Sequence, residues 1–319
     1  MRRKRNGRGA PGFHAGARGC AAPALAFLAS LLVSCAGLSP IAGPPDLPPR
    51  RAAVPEALVP QWLPFARGIG YLEAVISDPP LELRALRVDL TDPALRIVIN
   101  GAAGSPFPPG RVPSLKTTTF VERYHCVAGI NTTPFHPSSA REGEERTLVG
   151  IHVAEGRVVS LPRPPYDALV FYAGGPHPSG RPAIVPQGDI GDLDALRNAA
   201  GGFYRVLENG RVPEAARRKL PRYPRSAAGL SAGGETLYLL VIDGRRPGSA
   251  GATEGELGVI LRRLGASEGI NFDGGGSAAM ALRYPDGRVR AANTPVHGGI
   301  PGRERGVAAC LGIRVCSLP

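Results

Sequence analysis

Residues 253 to 282, TEGELGVILRRLGASEGINFDGGGSAAMAL, contain in succession a helix signal, a glycine-rich loop and a strand signal. Thr253 can cap a helix, and Glu256, three residues later, completes the pattern of a capping box. Apolar residues then recur at helical spacing, at Leu257, Ile260, Leu261 and Leu264, before Gly265 ends the helix. Because a single apolar stripe has to be covered, this helix is predicted to pack on a sheet.

The second part of the stretch is the loop Asn271-Phe272-Asp273-Gly274-Gly275-Gly276-Ser277, which leads into an apolar strand at residues 278–282. Three successive glycines cost stability, so they are expected where the backbone approaches a ligand, adopts positive φ or offers N–H groups to an anion. A tight turn between two structural elements is the simpler alternative. A nucleotide-binding loop is excluded, because neither a Lys-Ser/Thr pair nor a G-x-G-x-x-G pattern is present.

Outside this stretch, short segments that alternate apolar and charged residues predict strands. They lie at residues 83–90, 95–99, 127–131, 148–153, 168–172, 203–207, 237–242, 278–282 and 307–315, with hairpin turns at Asn209-Gly210 and Asp286-Gly287. Weaker helix signals lie at residues 114–124 and 194–200. Because strands outnumber helices, the sequence predicts one α+β domain, with a mixed, largely antiparallel β-sheet core and a few packed helices.

The N-terminal 34 residues differ from the rest in composition. Six positively charged residues and no acidic one precede an apolar run from Ala21 to Val33, which is typical of a signal peptide. The run ends in Leu32-Val33-Ser34-Cys35, which resembles the bacterial lipobox. We therefore expect an exported protein whose lipidated Cys35 anchors it to a bacterial envelope membrane, with its domain facing the periplasm or the exterior. The alternative is an ordinary signal peptide in which Cys35 is incidental.

Residues 35–66 are rich in proline, alanine and glycine. Such a composition buries little apolar area and tends to stay extended, so this segment is predicted to be a tether. The folded domain is then expected at residues 67–319.

The formal net charge is +12, but six of the positive charges belong to the N-terminal segment. The remaining arginines are scattered and form no basic patch, so nucleic acid is not an expected partner. Of the five cysteines, Cys126, Cys310 and Cys316 belong to the predicted domain. Either Cys126 pairs with Cys310 or Cys316, or all three stay unpaired.

Four motifs occur in order along the second half of the chain. They are Arg225-Ser226-Ala227-Ala228-Gly229, then Val241-Ile242-Asp243-Gly244-Arg245, then Ser249, Gly251 and Thr253 before Glu256-Leu257, and finally Asn271 to Ser277 followed by Met280. This series resembles the phosphodiester glycosidase family of bacteria and animals, whose signatures are R-[ST]-A-x-G, V-D-G-R, S-x-G-x-T-x-x-E-L and N-[LF]-D-G-G-G-S. One segment departs from the family: Asn131-Thr132-Thr133-Pro134-Phe135 replaces a common N-G-G-F-F, which puts the substrate in question rather than the reaction.

The resemblance implies a hydrolase that cleaves a glycosyl phosphodiester in an envelope polysaccharide or related glycan. Asp273 is the expected nucleophile or general base, with Asp243 or Glu256 as the second carboxylate of the pair that glycoside hydrolysis usually needs. His152 and His297 are further acid–base candidates.

Substrate contacts are expected from two arginines and from the loop. Arg225 and Arg245 suit phosphate oxygens, although either could instead pair with Asp243. The other expected substrate-binding residues are Asn131, Asn271, Gly274, Gly275, Gly276 and Ser277. No cofactor is required by any motif, but adjacent carboxylates leave a bound Ca²⁺ or Mg²⁺ open.

Two other functions remain open from the sequence. One is a non-catalytic lipoprotein that binds glycans or cell wall through a degenerate site. The other is a phosphodiesterase that cuts the second P–O bond with the same groups.

Overall fold

The computed structural model of this chain describes residues 58–101, 107–175, 177–219 and 221–317. The predicted signal peptide, Cys35 and the first part of the predicted tether lie outside the described residues.

Short strands make up most of the described chain. The strands are β1 (Leu63–Ala66), β2 (Ile69–Ser77), β3 (Pro80–Asp89), β4 (Leu95–Ile99), β5 (Arg111–Pro113), β6 (Ala128–Asn131), β7 (Phe135–His136), β8 (Glu145–Leu148), β9 (His152–Ala154), β10 (Arg157–Ser160), β11 (Asp167–Tyr172), β12 (Arg181–Pro186), β13 (Leu196–Gly201), β14 (Arg205–Leu207), β15 (Arg225–Leu230), β16 (Thr236–Ile242), β17 (Glu268–Asn271), β18 (Met280–Arg283), β19 (Val289–Ala291), β20 (Val296–His297), β21 (Ile300–Pro301) and β22 (Cys310–Val315). The helices are α1 (Thr117–Arg123), α2 (Glu214–Arg217) and α3 (Glu254–Leu264), and two 3₁₀ turns cover Gln187–Asp189 and Gly275–Ser277.

Three larger sheets organise the domain. Seven strands pair in the order β1-β2-β3-β16-β15-β17-β14, five in the order β10-β9-β13-β11-β12, and five in the order β19-β18-β6-β22-β4. All ladders between these strands are antiparallel. The predicted antiparallel core is therefore confirmed. The expected mixed sheet is not seen in the described chain, which is richer in β structure than α+β suggests.

The main core lies where the three sheets meet. Leu86, Leu239, Ile130, Leu311 and Phe171 are buried together there. Strands of different sheets contribute these side chains because alternate residues of each strand face the same layer. Fully burying one such side chain stabilises the fold by about 1.5–3 kcal/mol.

Helix α3 covers the other face of the seven-stranded sheet, as its apolar stripe predicts. Leu257, Ile260 and Leu261 are buried with Leu83 and Leu240 of β3 and β16. The capping box between Thr253 and Glu256 is present, and Gly265 ends the helix in the left-handed region at φ 112°. These predictions are confirmed, because local signals and the apolar pattern all favour the same element.

Two predicted elements differ in the structure. Residues predicted as a helix at 194–200 form strand β13, which pairs with β9 and β11. Its small side chains provide no helical stripe, and tertiary packing decides the outcome. The sheet also begins at Leu63, inside the segment assigned to the tether, and Trp62 packs against the hydrophobic side chains around α3.

Cys126, Cys310 and Cys316 are free thiols, and the first two are buried. The described residues include no helix that is long and apolar enough to cross a membrane.

Candidate active site

Antiparallel pairing brings four strand ends together at one edge of the seven-stranded sheet. Arg225 at the start of β15 is opposite Ile242 at the end of β16, and Ala227 is opposite Asn271 at the end of β17. On the far side of β17, Asn271 donates its N–H to Tyr204, just before β14. The motifs that are spread along the sequence therefore meet at one place.

The loop after β17 is held by backbone hydrogen bonds and by one buried asparagine. Asp273 N–H donates to the Thr132 carbonyl at 2.9 Å, and Asn131 Nδ2 donates to the Asp273 carbonyl at 2.6 Å. The other side-chain atom of Asn131, Oδ1, accepts from Ser226 Oγ at 2.6 Å and from Ala279 N–H at 3.1 Å. Asn131 was expected to bind substrate, but its polar side-chain atoms are engaged by the protein, and it holds the loop in shape.

Two of the three glycines make room for arginine side chains. A Cβ at Gly275, whose φ is +59°, would lie 3.0 Å from Arg245 Nη2, and one at Gly276 would lie 2.5 Å from Arg305 Nη2. The third, Gly274, lies against the carbonyl of Pro224, 2.6 Å from where its Cβ would be. The N–H of Gly275 donates to that same carbonyl at 2.8 Å. The glycines thus let two guanidinium groups approach the loop, and the arginines supply positive charge there.

Arg245 is exposed, and its backbone has φ +59°, in the left-handed region that non-glycine residues rarely adopt. Its guanidinium lies 5.6 Å from the centre of the Tyr223 ring. No hydrogen bond or ion pair ties it to another side chain of the described chain. Such strain at an exposed, charged residue is frequent at functional sites.

Arg305 also belongs to the candidate site, although no sequence motif indicates it. Its Nη1 donates to Ser277 Oγ at 3.1 Å, and its Nε donates to His297 Nδ1 at 3.0 Å. His297 is therefore neutral in this arrangement, and its pKa is lowered by burial and by Arg305 and Arg303. Arg305 belongs to none of the four spaced motifs, and only the folded chain brings it to the loop.

Asp273 has the environment of a functional carboxyl. Burial raises its pKa to about 6, although a hydrogen bond from Ser277 and the positive charge of Arg305 both act to lower it. No second carboxylate in the described chain is among the groups that shift it. Burial also lowers the pKa of Arg305, while Asp273 raises it and Arg245 lowers it. One carboxyl that titrates near neutrality thus lies beside two arginines.

Asp243, expected as a second catalytic carboxylate, is buried and fully bonded. Its Oδ2 accepts from Arg84 at 2.7 Å and from Arg246 at 3.0 Å. Its Oδ1 accepts from Asn293 Nδ2 and the Thr294 N–H, both at 2.9 Å. Arg84 and Arg246, rather than Arg225 or Arg245, are the arginines that pair with Asp243. These contacts leave no oxygen of Asp243 open to a substrate, so we assign it to holding the site together.

Glu256 is likewise engaged by its surroundings. Its Oε2 accepts from the Thr253 N–H at 2.9 Å, and its Oε1 pairs with Arg222. Its carboxylate caps helix α3, and these contacts favour a structural role over the expected catalytic one.

Arg225 is buried and turned toward the protein. Its Nε donates to the Ala252 carbonyl at 2.9 Å, and its Nη1 lies 3.6 Å from Glu254. The expectation that it binds phosphate is therefore not supported by its contacts, whereas the same expectation for Arg245 is compatible with its exposure.

Asn271 fits a ligand-binding role better than Arg225 does. Its Oδ1 is buried and has no partner among the described residues. An unpaired buried polar atom is costly, so a bound group or water that donates to it is expected.

His152 lies deep in the core, where its Nε2 donates to the Asn100 carbonyl at 2.6 Å. Burial lowers its pKa to about 4. In the described part of the chain, no group of three or more His, Cys, Asp or Glu side chains is placed to hold a metal ion.

Together, the antiparallel sheets and the loop define a β-rich protein whose site suits an anionic ligand. The chain belongs to the phosphodiester glycosidase family, whose model matches residues 124–314, more than half of the sequence. This confirms the resemblance that the ordered motifs indicate. Comparison with curated proteins by sequence gives no match.

Three solved structures share the fold. The catalytic domain of zebrafish N-acetylglucosamine-1-phosphodiester alpha-N-acetylglucosaminidase, auto-inhibited by its pro-peptide, aligns with TM-score 0.56 and 16% identity over 77% of this chain and 82% of its own. A hypothetical protein from Synechocystis aligns with TM-score 0.54 and 15% identity over 85% of this chain but only 64% of its own. A protein from Burkholderia pseudomallei aligns with TM-score 0.53 and 17% identity over 73% of this chain and 74% of its own.

Proposed function

We propose that this chain hydrolyses the bond between an anomeric carbon and a phosphodiester in an envelope polysaccharide or related glycan. Membership of the phosphodiester glycosidase family supports this reaction. The observation that carries the proposal is the position of Asp273, whose carboxyl has a pKa of about 6 next to Arg305. A sugar phosphodiester offers one electrophilic carbon and one anionic group, and this site has a matching group for each.

In the proposed reaction, Arg245 and Arg305 bind the phosphate oxygens. Guanidinium groups can donate two parallel hydrogen bonds to such oxygens and stay charged throughout. The anomeric carbon is then close to Asp273, because only the bridging oxygen separates it from phosphorus. Asp273 acts as nucleophile at that carbon or as base for the attacking water.

The site differs from that of an ordinary glycosidase, since neither Asp243 nor Glu256 is free to act as a second acid. Cleavage of the bond between the anomeric carbon and oxygen releases a phosphate monoester, which leaves well without protonation, so the need for a general acid is small. The arginines instead stabilise the negative charge on the departing phosphate. One carboxyl is therefore sufficient for the proposed reaction.

The test is hydrolysis of the methyl phosphodiesters of several sugar 1-phosphates, in both anomeric forms, by the wild-type chain and the Asp273→Asn variant. We expect sugar release by the wild type and a loss of about 10³-fold in kcat/KM in the variant. Product stereochemistry separates nucleophile from base, since a covalent intermediate gives retention. Oxygen-18 from water should enter the sugar; entry into phosphate would show phosphodiesterase action instead.

A non-catalytic glycan-binding role is the second candidate, and the segment after Asn131 is what favours it. Thr132 and Thr133 replace glycines common in the family, and their buried hydroxyls have no partner among the described residues. Equal binding of a sugar phosphodiester by the wild type and Asp273→Asn, without turnover in either, would support this alternative.

We further propose that the protein is exported and anchored to the envelope membrane through lipid on Cys35. The basic and apolar segment before this cysteine supports the proposal. Radiolabelled palmitate should label the wild-type protein in bacterial cells, and Cys35→Ser should lose the label and leave the membrane fraction. Membrane retention of an unlabelled Cys35→Ser variant would contradict it.

A further inference from the structure

Three aromatic side chains form a cluster that is separate from the hydrophobic core. The Tyr166 ring centre lies 5.6 Å from that of Phe203 and 5.5 Å from that of Tyr204, in edge-to-face arrangements. All three are partly exposed, and none belongs to a buried core cluster of the described chain. Aromatic rings that pack on one another at the surface leave apolar faces open to a ligand.

This aromatic cluster lies beside the loop that contains Asp273. Phe203 N–H donates to the Asn271 carbonyl at 2.8 Å, and Asn271 N–H donates to the Tyr204 carbonyl at 3.1 Å. Asn271 is the last residue of β17, and Asp273 follows it by two residues in the loop. The segment that carries Phe203 and Tyr204 is thus hydrogen-bonded to the strand end from which the Asp273 loop begins.

A series of contacts connects the cluster with the phosphate-binding arginine. Lys219 Nζ lies 3.9 Å from the Tyr204 ring centre and 3.1 Å from Glu254. Glu254 pairs with Arg225, which lies 5.5 Å from the Tyr223 ring, and Arg245 lies over the same ring. Arg225 and Glu254 are themselves buried, so this series links the partly exposed Lys219 to the exposed Arg245 through the protein beneath the surface.

We propose that this aromatic cluster binds a second sugar unit of a glycan whose units are joined by phosphodiesters. The inference rests on the proposed function and extends it: the substrate is a chain of at least two such units. One apolar face of a pyranose ring packs on an aromatic face, and a polar rim gives it orientation. The partly exposed ammonium group of Lys219 supplies a charge that suits the next phosphate of the same chain.

The experiment compares a matched pair of substrates. The first is the methyl phosphodiester of a single sugar 1-phosphate, and the second is the phosphate-linked dimer of the same sugar, for each sugar in the panel. The variants are Tyr204→Ala, Tyr204→Phe and, as a control, Tyr172→Ala. Tyr172 also lies against a cation, Arg181 at 4.7 Å, but it ends strand β11, about 20 Å along the strand from Tyr166.

We expect the wild-type chain to prefer the dimer, and the ratio of dimer to monomer kcat/KM to fall about tenfold in Tyr204→Ala, which corresponds to the loss of one well-packed aromatic contact. Tyr204→Phe keeps the ring and should keep the ratio, and Tyr172→Ala should also keep it. An unchanged ratio in Tyr204→Ala, or a wild-type chain with no preference for the dimer, would overturn the inference.

Binding measured by titration calorimetry separates this inference from the proposed function. If the wild type releases no sugar, hydrolysis fails, but a dimer that binds more tightly than the monomer and loses that advantage in Tyr204→Ala still supports the aromatic site. Failure of every dimer in the panel to bind would refute the aromatic site, even if the monomers are hydrolysed.

Discussion

Arg305 Nη1 donates to the Ser277 hydroxyl at 3.1 Å, and Ser277 in turn hydrogen-bonds the Asp273 carboxyl. The arginine precedes β22 and the carboxyl follows β17, so two distant parts of the chain meet through one hydroxyl group. Both Ser277 and Arg305 act to lower the pKa of Asp273, and burial acts in the opposite direction. The ionisation of Asp273 near neutral pH therefore depends on these two neighbours.

Ser277→Ala removes the hydrogen bond that favours the ionised form of Asp273. The pKa of Asp273 should rise above about 6, so the acidic limb of the kcat/KM profile should move to higher pH, by roughly 0.5–1 unit. A pH–rate profile on a methyl sugar phosphodiester measures the shift. The control is Ser139→Ala, whose hydroxyl bonds the Arg141 N–H outside the loop. If the acidic limb of the kcat/KM profile does not shift in Ser277→Ala, Asp273 is not the group whose ionisation produces that limb.

Arg305→Lys should weaken substrate binding more than Ser277→Ala does. A lysine keeps the charge but loses the planar fork that reaches both Ser277 and a phosphate oxygen. We expect KM to rise about tenfold, and the acidic limb to move less than in Arg305→Met, which removes the charge. Equal pH profiles for the two variants would show that the charge of Arg305 does not act on Asp273.

Asp273→Asn should change stability as well as activity. The pKa of Asp273 is raised to about 6 from an unfolded value near 4, so between these pH values the folded state binds more protons than the unfolded state. Wild-type stability should therefore fall as pH rises through this window, and the uncharged asparagine should remove that fall. Above pH 7, the free energy of unfolding of the variant should exceed that of the wild type by about 1–2 kcal/mol.

Chemical denaturation of both proteins from pH 4 to pH 8 measures this difference. Asp286→Asn, at an exposed carboxylate paired with Arg290, is the matched control and should show little pH dependence of its effect. A variant that is less stable than the wild type at pH 8 would contradict the prediction that the surroundings of Asp273 disfavour its ionised form.

Local sequence signals predict those elements of the fold that have a regular apolar repeat or a helix-capping motif. The capping box and stripe of α3 and the alternation in β3 and β4 are of this kind, and the structure confirms them. Strand β13 has no such signal, because Asn198, Ala199 and Ala200 fit either element. Its neighbours β9 and β11 decide its conformation, and pairing with neighbours is not visible in one segment.

For the site, the sequence predicts which loop is involved better than which side chains line it. The glycines and Asp273 lie together in the structure as the pattern indicates, but the side chains of Asp243 and Arg225 are bonded within the protein. Asp243 is bonded by Arg84, which lies on a strand 159 residues earlier in the sequence. A local sequence pattern does not reveal such a partner. Arg305 lies in no motif, so only the fold reveals it.

Asp243→Asn should damage the fold rather than the chemistry. The buried carboxylate accepts from Arg84, Arg246 and Asn293. Removing its charge weakens these contacts, although Arg84 and Arg246 keep Glu82 as a partner. We expect a loss of about 1–3 kcal/mol in the free energy of unfolding. Activity per folded molecule, measured at low temperature, should fall far less than in Asp273→Asn. A fully folded but inactive Asp243→Asn protein would restore Asp243 as a catalytic carboxylate.

Variants of Glu256 distinguish a helix-capping role of its carboxylate from a catalytic role. Its Oε2 accepts from the Thr253 N–H at 2.9 Å, and a glutamine can accept in the same way. Glu256→Gln should therefore keep helix α3 and nearly all activity, although the ion pair with Arg222 is lost. Glu256→Ala should lose about 1 kcal/mol of stability with its cap and still turn over substrate while folded. Thermal denaturation and kcat measured on both variants test this, because a catalytic carboxylate would fail in the glutamine variant while the helix stayed intact.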